Sequence, residues 1–534
     1  MDKRRNRIDR NHTRRGRNGF PDSSIPFRRV FKPQTGRGRC TPGSHYHASQ
    51  RREHDRHPYT RPSNIRQQSI LPYTGSQTNV RKHVLNMIVR DLHPLSLVED
   101  EGFQRLVKIL HPHTDIFLSA SLIREDLLNM HEEIRVKVQQ EVSRAKDLVL
   151  SAEVWSSSDE ASYLTVTCHF ISLEWELKSY MLETVHLIGD HTPENVHQQL
   201  RRISYEWEIM EKVQVVVTNK DGMKRAKPEV RWTYMPCFGE TLNKVFREAM
   251  NNSDWRDLLK KCRRIAAFFQ QKTSISRNVQ LTQSTGVDWL PVLTMLSNIY
   301  DQWPSIFKEF MAKQVENICL NEKERDMLNR AVNALNVIRD TVEKMGYSGY
   351  SSISNIIPLR DELQKGLGKL IQAKNNVAQR LSERCDHHIG GIRQNHWFTH
   401  STALDPQFKS IVLQNGEDEG ETIKAQLKDK MRYNRGGGHG GEMSFFEDQI
   451  LHKYTAEPDW MLKSQNPLQF WATKEEYKQL SKLAHKYLTV VSTAVPLERI
   501  TQPEKSQLFL NRRNCLELEN ISMMLFLNSN QDKI

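Results

Sequence analysis

The spacing of apolar residues divides the chain into segments with different predicted secondary structure. From about residue 79, apolar residues recur every three or four positions, and residues 123–145 keep that period, which predicts helices. Residues 148–250 change to the alternating, β-branched pattern of strands. This pattern predicts three strands joined by short turns, and therefore antiparallel, followed by a helix, a fourth strand over 213–217 and another helix. Thr192 and Pro193 are typical of a helix start, as N-cap and first helical residue.

Residues 251–430 have an almost entirely helical pattern. Four helices are predicted there, over 258–269, 289–311, 322–345 and 357–381. Residues 415–445 are polar and glycine-rich, which predicts a flexible linker. Two more helices are predicted after it, over 468–489 and 516–527. The chain has no run of about eighteen apolar residues, so neither a transmembrane helix nor membrane association is expected.

Positive charge is concentrated at one end of the chain. The 534 residues have a net charge of +13, and residues 1–66 alone hold 18 Lys and Arg against 5 Asp and Glu. Residues 1–75 have too few apolar side chains to offset the entropy of ordering, so a disordered basic tail is predicted. Such a tail binds DNA non-specifically through phosphates, or directs nuclear import, or is simply solvated. The candidate DNA-binding side chains in it are Arg4, Arg5, Arg14, Arg15 and Arg17.

The cysteines exclude several classes of protein. All seven are scattered and none forms a CxxC pair, so a disulfide framework is not expected. The cysteines are instead expected to be free thiols in a reducing compartment. Cys40 lies near His45, His47, His54 and His57, but one thiolate does not complete a structural zinc site. No metal or other cofactor is predicted from these residues.

Several separate motifs occur in a fixed order. They are Ala152-Glu153-Val154-Trp155-Ser156-Ser157, Tyr163 to Phe170, His191-Thr192-Pro193-Glu194-Asn195, Val217-Thr218-Asn219, Cys237-Phe238-Gly239-Glu240, Ala403-Leu404-Asp405-Pro406-Gln407-Phe408-Lys409, Leu483 to Leu488, Val495-Pro496-Leu497-Glu498-Arg499 and Asn511-Arg512-Arg513-Asn514. As an ordered set they resemble the hAT transposases, including domesticated members that often carry a BED zinc finger. The resemblance runs from about residue 84 to residue 530.

The resemblance implies a fold and a division of the chain. The implied fold class is α/β plus all-α, with a ribonuclease-H-like core that is interrupted by a large helical insertion. After the tail, the implied parts are an N-terminal helical region (76–147), the first part of the core (148–250), the insertion with the linker (251–465) and a C-terminal part (466–534). Within the family that last part is a dimerisation region, so a homodimer is expected; the alternative is that 468–527 is simply core.

The family's chemistry is DNA strand transfer, which uses two divalent ions about 4 Å apart held by three converging carboxylates. The first position is Glu153, where the family has Asp, and the second is Asn219, which has no charge. Asp221 is a possible substitute for Asn219, and Glu498 matches the third position. The site is therefore predicted to be vestigial, with Mg²⁺ or Mn²⁺ bound only if it is still active.

Each of these positions also has an ordinary structural interpretation. Glu153 could be a solvent-facing residue at a strand end, and Glu498 could form a surface ion pair with Arg499 or with Arg512 and Arg513. Trp289 is the remnant of the family's TRW element and could stack on an unpaired base, but a packed core indole is preferred. The family's CxxH pair has become Cys237 and Glu240.

Three functions are compatible with these residues. The preferred hypothesis is a catalytically inactive, domesticated transposase in the nucleus that acts as a DNA-associated dimeric regulator or scaffold. The second is an active DNA transposase that uses Glu153, Asp221 and Glu498. The third is an interaction protein that no longer binds DNA. Residues 1–75 have no BED finger, because such a finger needs a CxxC and paired histidines, and they contain a single cysteine.

Overall fold

The fold is built on a five-stranded mixed sheet. The computed structural model describes residues 77–534 except 111–117, 158–159, 190, 224–230, 272–278, 285, 287, 346–350, 415–416, 434–440 and 460–465. The predicted disordered tail and its five candidate arginines lie outside the described residues. The strands are β1 (Leu148–Ser156), β2 (Ser162–Ile171), β3 (Leu177–Leu187), β4 (Val213–Thr218) and β5 (Thr233–Pro236).

The strand order in the sheet is β3-β2-β1-β4-β5. β1, β2 and β3 pair antiparallel, as predicted from the short turns between them, and β4 pairs parallel to β1. The fifth strand, β5, pairs parallel to β4 and was not predicted. It has four residues, too few for a period of two to be recognised in the sequence.

Helices make up most of the rest of the described chain. Their bounds are α1 (Gln77–Asp91), α2 (Glu101–Leu110), α3 (Ala120–Arg144), α4 (Pro193–Glu206), α5 (Phe238–Ala249), α6 (Ser253–Gln271), α7 (Trp289–Asp301), α8 (Trp303–Lys313), α9 (Glu322–Lys344), α10 (Ile356–Gln372), α11 (Asn376–Ile389), α12 (His396–Leu404), α13 (Lys409–Leu413), α14 (Glu417–Tyr433), α15 (Gly441–Ala456), α16 (Leu468–Thr473), α17 (Lys478–Leu488), α18 (Leu497–Thr501), α19 (Pro503–Asn514) and α20 (Ile521–Asn530). In the described parts of the chain, no helix combines the length and the apolar character that crossing a membrane requires.

The start of α4 is confirmed in detail. The Thr192 side chain accepts a hydrogen bond from the backbone N–H of Asn195, and Pro193 is the first helical residue. Thr192 therefore satisfies one of the backbone donors that every helix leaves free at its first turn.

Three of the predicted long helices are interrupted, and the one predicted over 468–489 is divided into α16 and α17. The predicted helix over 357–381 is divided into α10 and α11 because Lys374 has a positive φ of 61° and Asn375 caps the new helix by accepting from two backbone N–H groups. The predicted helix over 289–311 ends at Asp301 and restarts at Trp303. The period of three or four between apolar residues continues across these breaks, so the sequence pattern does not reveal them.

The flexible linker predicted over 415–445 is wrong for most of its length. Residues Glu417–Tyr433 form α14, and Ile423, Leu427 and Met431 are buried at intervals of four on one face of it. The other face is charged, so the segment's composition hid a narrow apolar stripe. The glycine run at 436–438 lies outside the described residues.

The sheet separates two apolar cores. Along β1, Leu148 and Leu150 contribute to the core that α1, α3, α4 and α20 share, whereas Val149 contributes to the core of the helices from α5 to α17. Both faces of the sheet are therefore covered, which explains the nearly continuous burial of β1 and β2.

The last helix, α20, joins the edge of the sheet. The side-chain amide of Asn530 accepts from the Met181 backbone N–H at 3.0 Å and donates to the Met181 carbonyl at 2.8 Å, and Asn530 is fully buried. The end of the chain thus satisfies backbone groups of β3 that an edge strand would otherwise leave unpaired.

Candidate functional site

The carboxylate of Glu153 lies at the centre of an ion-pair cluster. Glu153 is on β1 opposite Thr165 of β2, and its side chain is buried, so the interpretation as a solvent-facing residue is wrong. Both of its oxygens accept from Arg499, at 2.6 and 2.8 Å, and Arg513 approaches one of them at 3.4 Å. Burial by itself raises the pKa of Glu153, but the charges and hydrogen bonds of Arg499 and Arg513 outweigh it and hold that pKa below its usual value.

Aromatic rings hold the two arginines in place. The guanidinium carbon of Arg513 lies 3.5 Å from the centroid of the Trp155 ring, and that of Arg499 lies 4.9 Å from the Phe509 ring. Arg513 is 3% exposed, and burial, together with the like charge of Arg499, lowers its pKa to about 10 against the attraction of Glu153. Strand β1 is thereby tied to α18 and α19 through charge and stacking.

Asn219 has a backbone-like role at the end of β4. Its amide oxygen accepts from the Val154 N–H and its amide nitrogen donates to the Val154 carbonyl, both at 2.8 Å. These two bonds continue the pairing of β4 with β1 by one position. A carboxylate at position 219 would lack the donor and would face the Val154 carbonyl with a negative charge.

The other two acidic candidates do not join Glu153. Asp221 is 77% exposed, pairs with Lys244 on α5, and is not among the residues that line the cleft at Glu153. Glu498 is within α18, but its side chain lies outside the described residues. Among the side chains that the structure describes, no group of three or more His, Cys, Asp or Glu is arranged to hold a metal ion.

The ion-pair cluster forms one wall of a cleft of about 640 Å³. The cleft is lined by Glu153, Asn219, Glu240, Trp289, Arg499 and Arg513, among others, so of the predicted site residues the structure brings Glu153, Asn219 and Trp289 together. Glu240 pairs with Arg247, and burial together with the nearby charge of Glu240 raises the pKa of Asp288.

The side chain of Trp289 is packed in the core rather than exposed to solvent. Its side chain is 2% exposed at the start of α7, and its backbone N–H donates to the Asn243 amide oxygen at 3.3 Å. This burial agrees with a core indole; stacking on a base stays a prediction that would require the ring to move.

The segment around Cys237 packs the two ends of the domain together. The Cys237 thiol accepts from the Ala494 N–H at 3.2 Å, and a Cβ at Gly239 would lie 2.6 Å from Ile500 on α18. A side chain at position 239 would therefore require the end of the Ile500 side chain to shift where α5 meets α18. The former CxxH position contributes to packing through its cysteine and to the cleft through Glu240.

The motif Ala403 to Lys409 is structural in this chain. Asp405 accepts from the Ser354 hydroxyl at 2.7 Å, and burial raises its pKa to about 6. The Lys409 ammonium donates to the carbonyls of Tyr454 and Glu457 at 2.5 and 2.6 Å and so caps the end of α15.

The sequence did not reveal the partners of Glu153. Arg499 and Arg513 were expected to pair, if at all, with Glu498, their neighbour in sequence. The structure pairs both with a residue about 350 positions away. The sequence did offer one signal. Glu153 is in one motif of the ordered set, and Arg499 and Arg513 are in two later motifs, so opposite charges were available to pair.

Two family models match the chain. The model described as the ZBED1 RNase-like domain matches residues 151–231, which include β1 to β4. The model described as the hAT family C-terminal dimerisation region matches residues 450–531, which include α16 to α20. The ion pairs of Glu153 with Arg499 and Arg513 therefore connect the two matched segments.

Several known proteins are similar to the chain. Human zinc finger BED domain-containing protein 4 is 20% identical over 373 residues, covering 64% of this chain and 31% of that protein. Human zinc finger BED domain-containing protein 6 is 19% identical over 374 residues, covering 63% of this chain and 38% of that protein. The putative AC transposase of Zea mays is 27% identical over 145 residues, which is 27% of this chain and 18% of that protein.

The chain thus spans less than two fifths of the length of each of these relatives. The two models match in the order expected from the motifs, and the relatives include both transposases and BED zinc-finger proteins. Together they identify the chain as a relative of the hAT transposases, consistent with a domesticated member of that family.

Proposed function

We propose that this protein is a nuclear, DNA-associated homodimer derived from a hAT transposase, and that it acts as a regulator or scaffold without cutting DNA. The observation that carries the proposal is the pairing of Arg499 with both carboxylate oxygens of Glu153. The helices from α6 to α15, within residues 251–465, are interpreted as the family's insertion into the ribonuclease-H-like core.

The described residues do not fit a two-metal site. A divalent ion needs carboxylate oxygens that are free to coordinate, and the oxygens of Glu153 are engaged by two guanidinium groups. Those guanidinium groups carry two positive charges at the place where the ions would have to bind, and the repulsion disfavours them. The amide oxygen of Asn219 is engaged by the backbone, and Asp221 points to Lys244. These residues therefore do not support a metal-dependent step in catalysis.

Dimerisation is supported by the match over residues 450–531. Within that region α20 is buried against β3 and α3, so this helix contributes to the core of its own chain. Leu508 and Leu518 remain 51% and 61% exposed. We expect these two leucines to contribute to the contact between two copies.

DNA association is supported by the basic segment and by the relatives. Arg4, Arg5, Arg14, Arg15 and Arg17 supply charge for phosphate contacts without sequence selectivity. Several relatives are BED zinc-finger proteins by name, and one from Talaromyces stipitatus is a putative transcriptional regulator. A nuclear location follows for a protein that binds chromosomal DNA.

The test is a calorimetric titration of the full chain with Mn²⁺, followed by incubation with end-labelled DNA in the presence of Mn²⁺. We expect neither saturable binding nor strand cleavage. Saturable binding that is lost in Glu498→Gln, accompanied by cutting, would restore an active transposase. The matched control is Glu475→Gln, which removes an exposed carboxylate outside the cleft.

A binding assay separates the preferred function from that of an interaction protein. The full chain should bind duplex DNA with an affinity that falls steeply as salt rises. Replacing Arg4, Arg5, Arg14, Arg15 and Arg17 by Gln should reduce both the affinity and its salt dependence. Complete absence of DNA binding by the parent chain would favour a protein that only contacts other proteins.

A further inference from the structure

A second pocket lies among α12, α14 and α17, and neither its residues nor its helices belong to the cleft at Glu153. Its volume is about 610 Å³. His396 and His400 of α12, Gln426, Asp429, Lys430 and Tyr433 of α14, and Leu483, Lys486 and Tyr487 of α17 line it.

The pocket contains two ammonium groups without a carboxylate partner. Lys430 and Lys486 face it from opposite helices, and neither forms an ion pair with any described residue. Burial lowers the pKa of Lys430, and the like charge of Lys486 lowers it further, so the two charges are close enough to repel each other. The one acid of the pocket, Asp429, is 75% exposed and lies 3.5 Å from Arg432.

The wall of the pocket includes a histidine with a free ring nitrogen. His400 is fully buried, and its Nε2 pairs with the Gln426 side chain at 2.9 Å. Its Nδ1 has no hydrogen-bond partner among the described residues. Because the Gln426 oxygen accepts from Nε2 and burial keeps the ring neutral, Nδ1 is an acceptor, and His400 contributes to the wall of the pocket rather than to binding an anion.

Aromatic groups complete the surroundings. Lys486 lies 5.8 Å from the ring of Trp397, which fixes its aliphatic stem, and His396 and Tyr487 pack around His400. Tyr433 at the end of α14 is 87% exposed. An exposed aromatic ring beside unpaired cations is the combination that binds single-stranded nucleic acid, with the base on the ring and the phosphate on the cations.

We propose that this pocket binds a phosphate group through Lys430 and Lys486, and that in a nucleic-acid strand the adjoining base stacks on Tyr433. A phosphate supplies two or more oxygens that accept from the two ammonium groups. The proposal does not depend on the N-terminal arginines, on dimerisation or on the state of Glu153.

The experiment compares the parent full chain with Lys430→Gln/Lys486→Gln. The matched control is Lys323→Gln/Lys478→Gln, which removes the same charge from two exposed lysines that do not line the pocket. Two titrations are made at constant ionic strength, one with inorganic phosphate followed by calorimetry and one with a fluorescent single-stranded oligonucleotide followed by anisotropy. Thermal unfolding of each variant verifies that it is folded.

The pocket double variant should bind inorganic phosphate at least about tenfold more weakly than the parent, and the control should equal the parent. For the oligonucleotide, the slope of log affinity against log salt should decrease by about 0.7, the value for one phosphate contact of a single strand. Tyr433→Ala should weaken the oligonucleotide and leave inorganic phosphate unchanged.

Loss of phosphate binding without any change for the oligonucleotide would assign the pocket to a free phosphate compound rather than to a strand. Equal phosphate binding by parent and pocket variant, or none by the parent, would overturn the proposal. It would also be overturned if a polyglutamate peptide bound through these lysines more tightly than an oligonucleotide of equal charge. If the protein binds phosphate in this pocket but does not bind duplex DNA, the proposed function is contradicted and the phosphate site is supported.

Discussion

Arg499 donates through both terminal nitrogens to the carboxylate of Glu153, joining residues 346 positions apart in the sequence. The pair connects the segment that matches an RNase-like domain to the segment that matches a dimerisation region. The carboxylate of Glu153 is thus held in an ion pair inside the domain, with Arg513 stacked on Trp155 beside it.

Replacing Glu153 by Gln should destabilise the fold. The change leaves Arg499 and Arg513 buried without a compensating charge, and breaking a buried ion pair from one side typically costs about 3–5 kcal/mol. Urea unfolding followed by circular dichroism measures the change. Asp221→Asn breaks an exposed ion pair and should cost less than about 1 kcal/mol. Equal stability of Glu153→Gln and the parent would show that the cluster does not hold the domain together.

An aspartate at position 219, the residue that the resemblance implies there, should not create a metal site. Asn219→Asp removes the donor to the Val154 carbonyl and should cost about 1–3 kcal/mol, because a buried acceptor loses its partner. Asn252→Asp is the control, since the side-chain oxygen of Asn252 accepts from the Trp255 N–H and a carboxylate oxygen is able to do the same. Calorimetry with Mn²⁺ should detect no saturable binding to Asn219→Asp. A gain of Mn²⁺ binding would indicate that Arg499 and Arg513 are easily displaced from the carboxylate of Glu153.

The amide of Asn530 should be necessary for attaching the last helix. Asn530→Ala leaves both backbone groups of Met181 without partners and is expected to cost about 2 kcal/mol. Hydrogen exchange at the Met181 amide should accelerate in this variant. The control Gln531→Ala changes the next residue, whose side chain lines a pocket with residues of α1 and α3, and should leave the exchange rate unchanged.

Stability should fall as the pH decreases below about 6.5. Burial lowers the pKa of His169 to about 3 and that of His400 to about 4. A group with a depressed folded-state pKa stabilises the fold above its unfolded pKa, and this contribution is lost as the pH falls towards the folded value. Each histidine should contribute a slope of about 1.4 kcal/mol per pH unit.

The variant His169→Gln tests this directly. It should reduce the slope of the free energy of unfolding between pH 6 and 4 by the share of one histidine, whereas the exposed His191→Gln should keep the parent's slope. The Gln side chain is able to hydrogen-bond to Ser151 or Ser179, the present partners of the His169 ring. An unchanged slope in His169→Gln would mean that this ring is not kept neutral by burial.

The dimer contact is tested by adding charge to its exposed leucines. Leu508→Asp/Leu518→Asp should shift the protein from dimer to monomer, because a charged group at an apolar interface is left without a partner. Light scattering after size-exclusion chromatography measures the mass. Leu173→Asp changes a leucine that is 94% exposed in the turn between β2 and β3 and should not affect the mass. A dimer that persists would place the contact elsewhere.

The antiparallel pairing of β1, β2 and β3 and the helix start at Thr192 could be predicted because they depend on neighbouring residues. Alternation of side chains and short turns are local properties, and so is the Thr-Pro pair that begins α4. The predicted linker was wrong because a helix needs only a narrow buried stripe, here Ile423, Leu427 and Met431, and the composition around it is charged.

The sequence by itself determined the family resemblance, the substitution of an amide at position 219 and the uneven charge of the chain. Only the tertiary structure decided the partners of these groups. It buries Glu153 against Arg499, sets Asn219 against the backbone of Val154, and leaves Lys430 and Lys486 unpaired around one pocket. Ion pairs and hydrogen bonds depend on distances of a few ångströms between residues that are hundreds of positions apart, and the order of residues along the chain does not contain those distances.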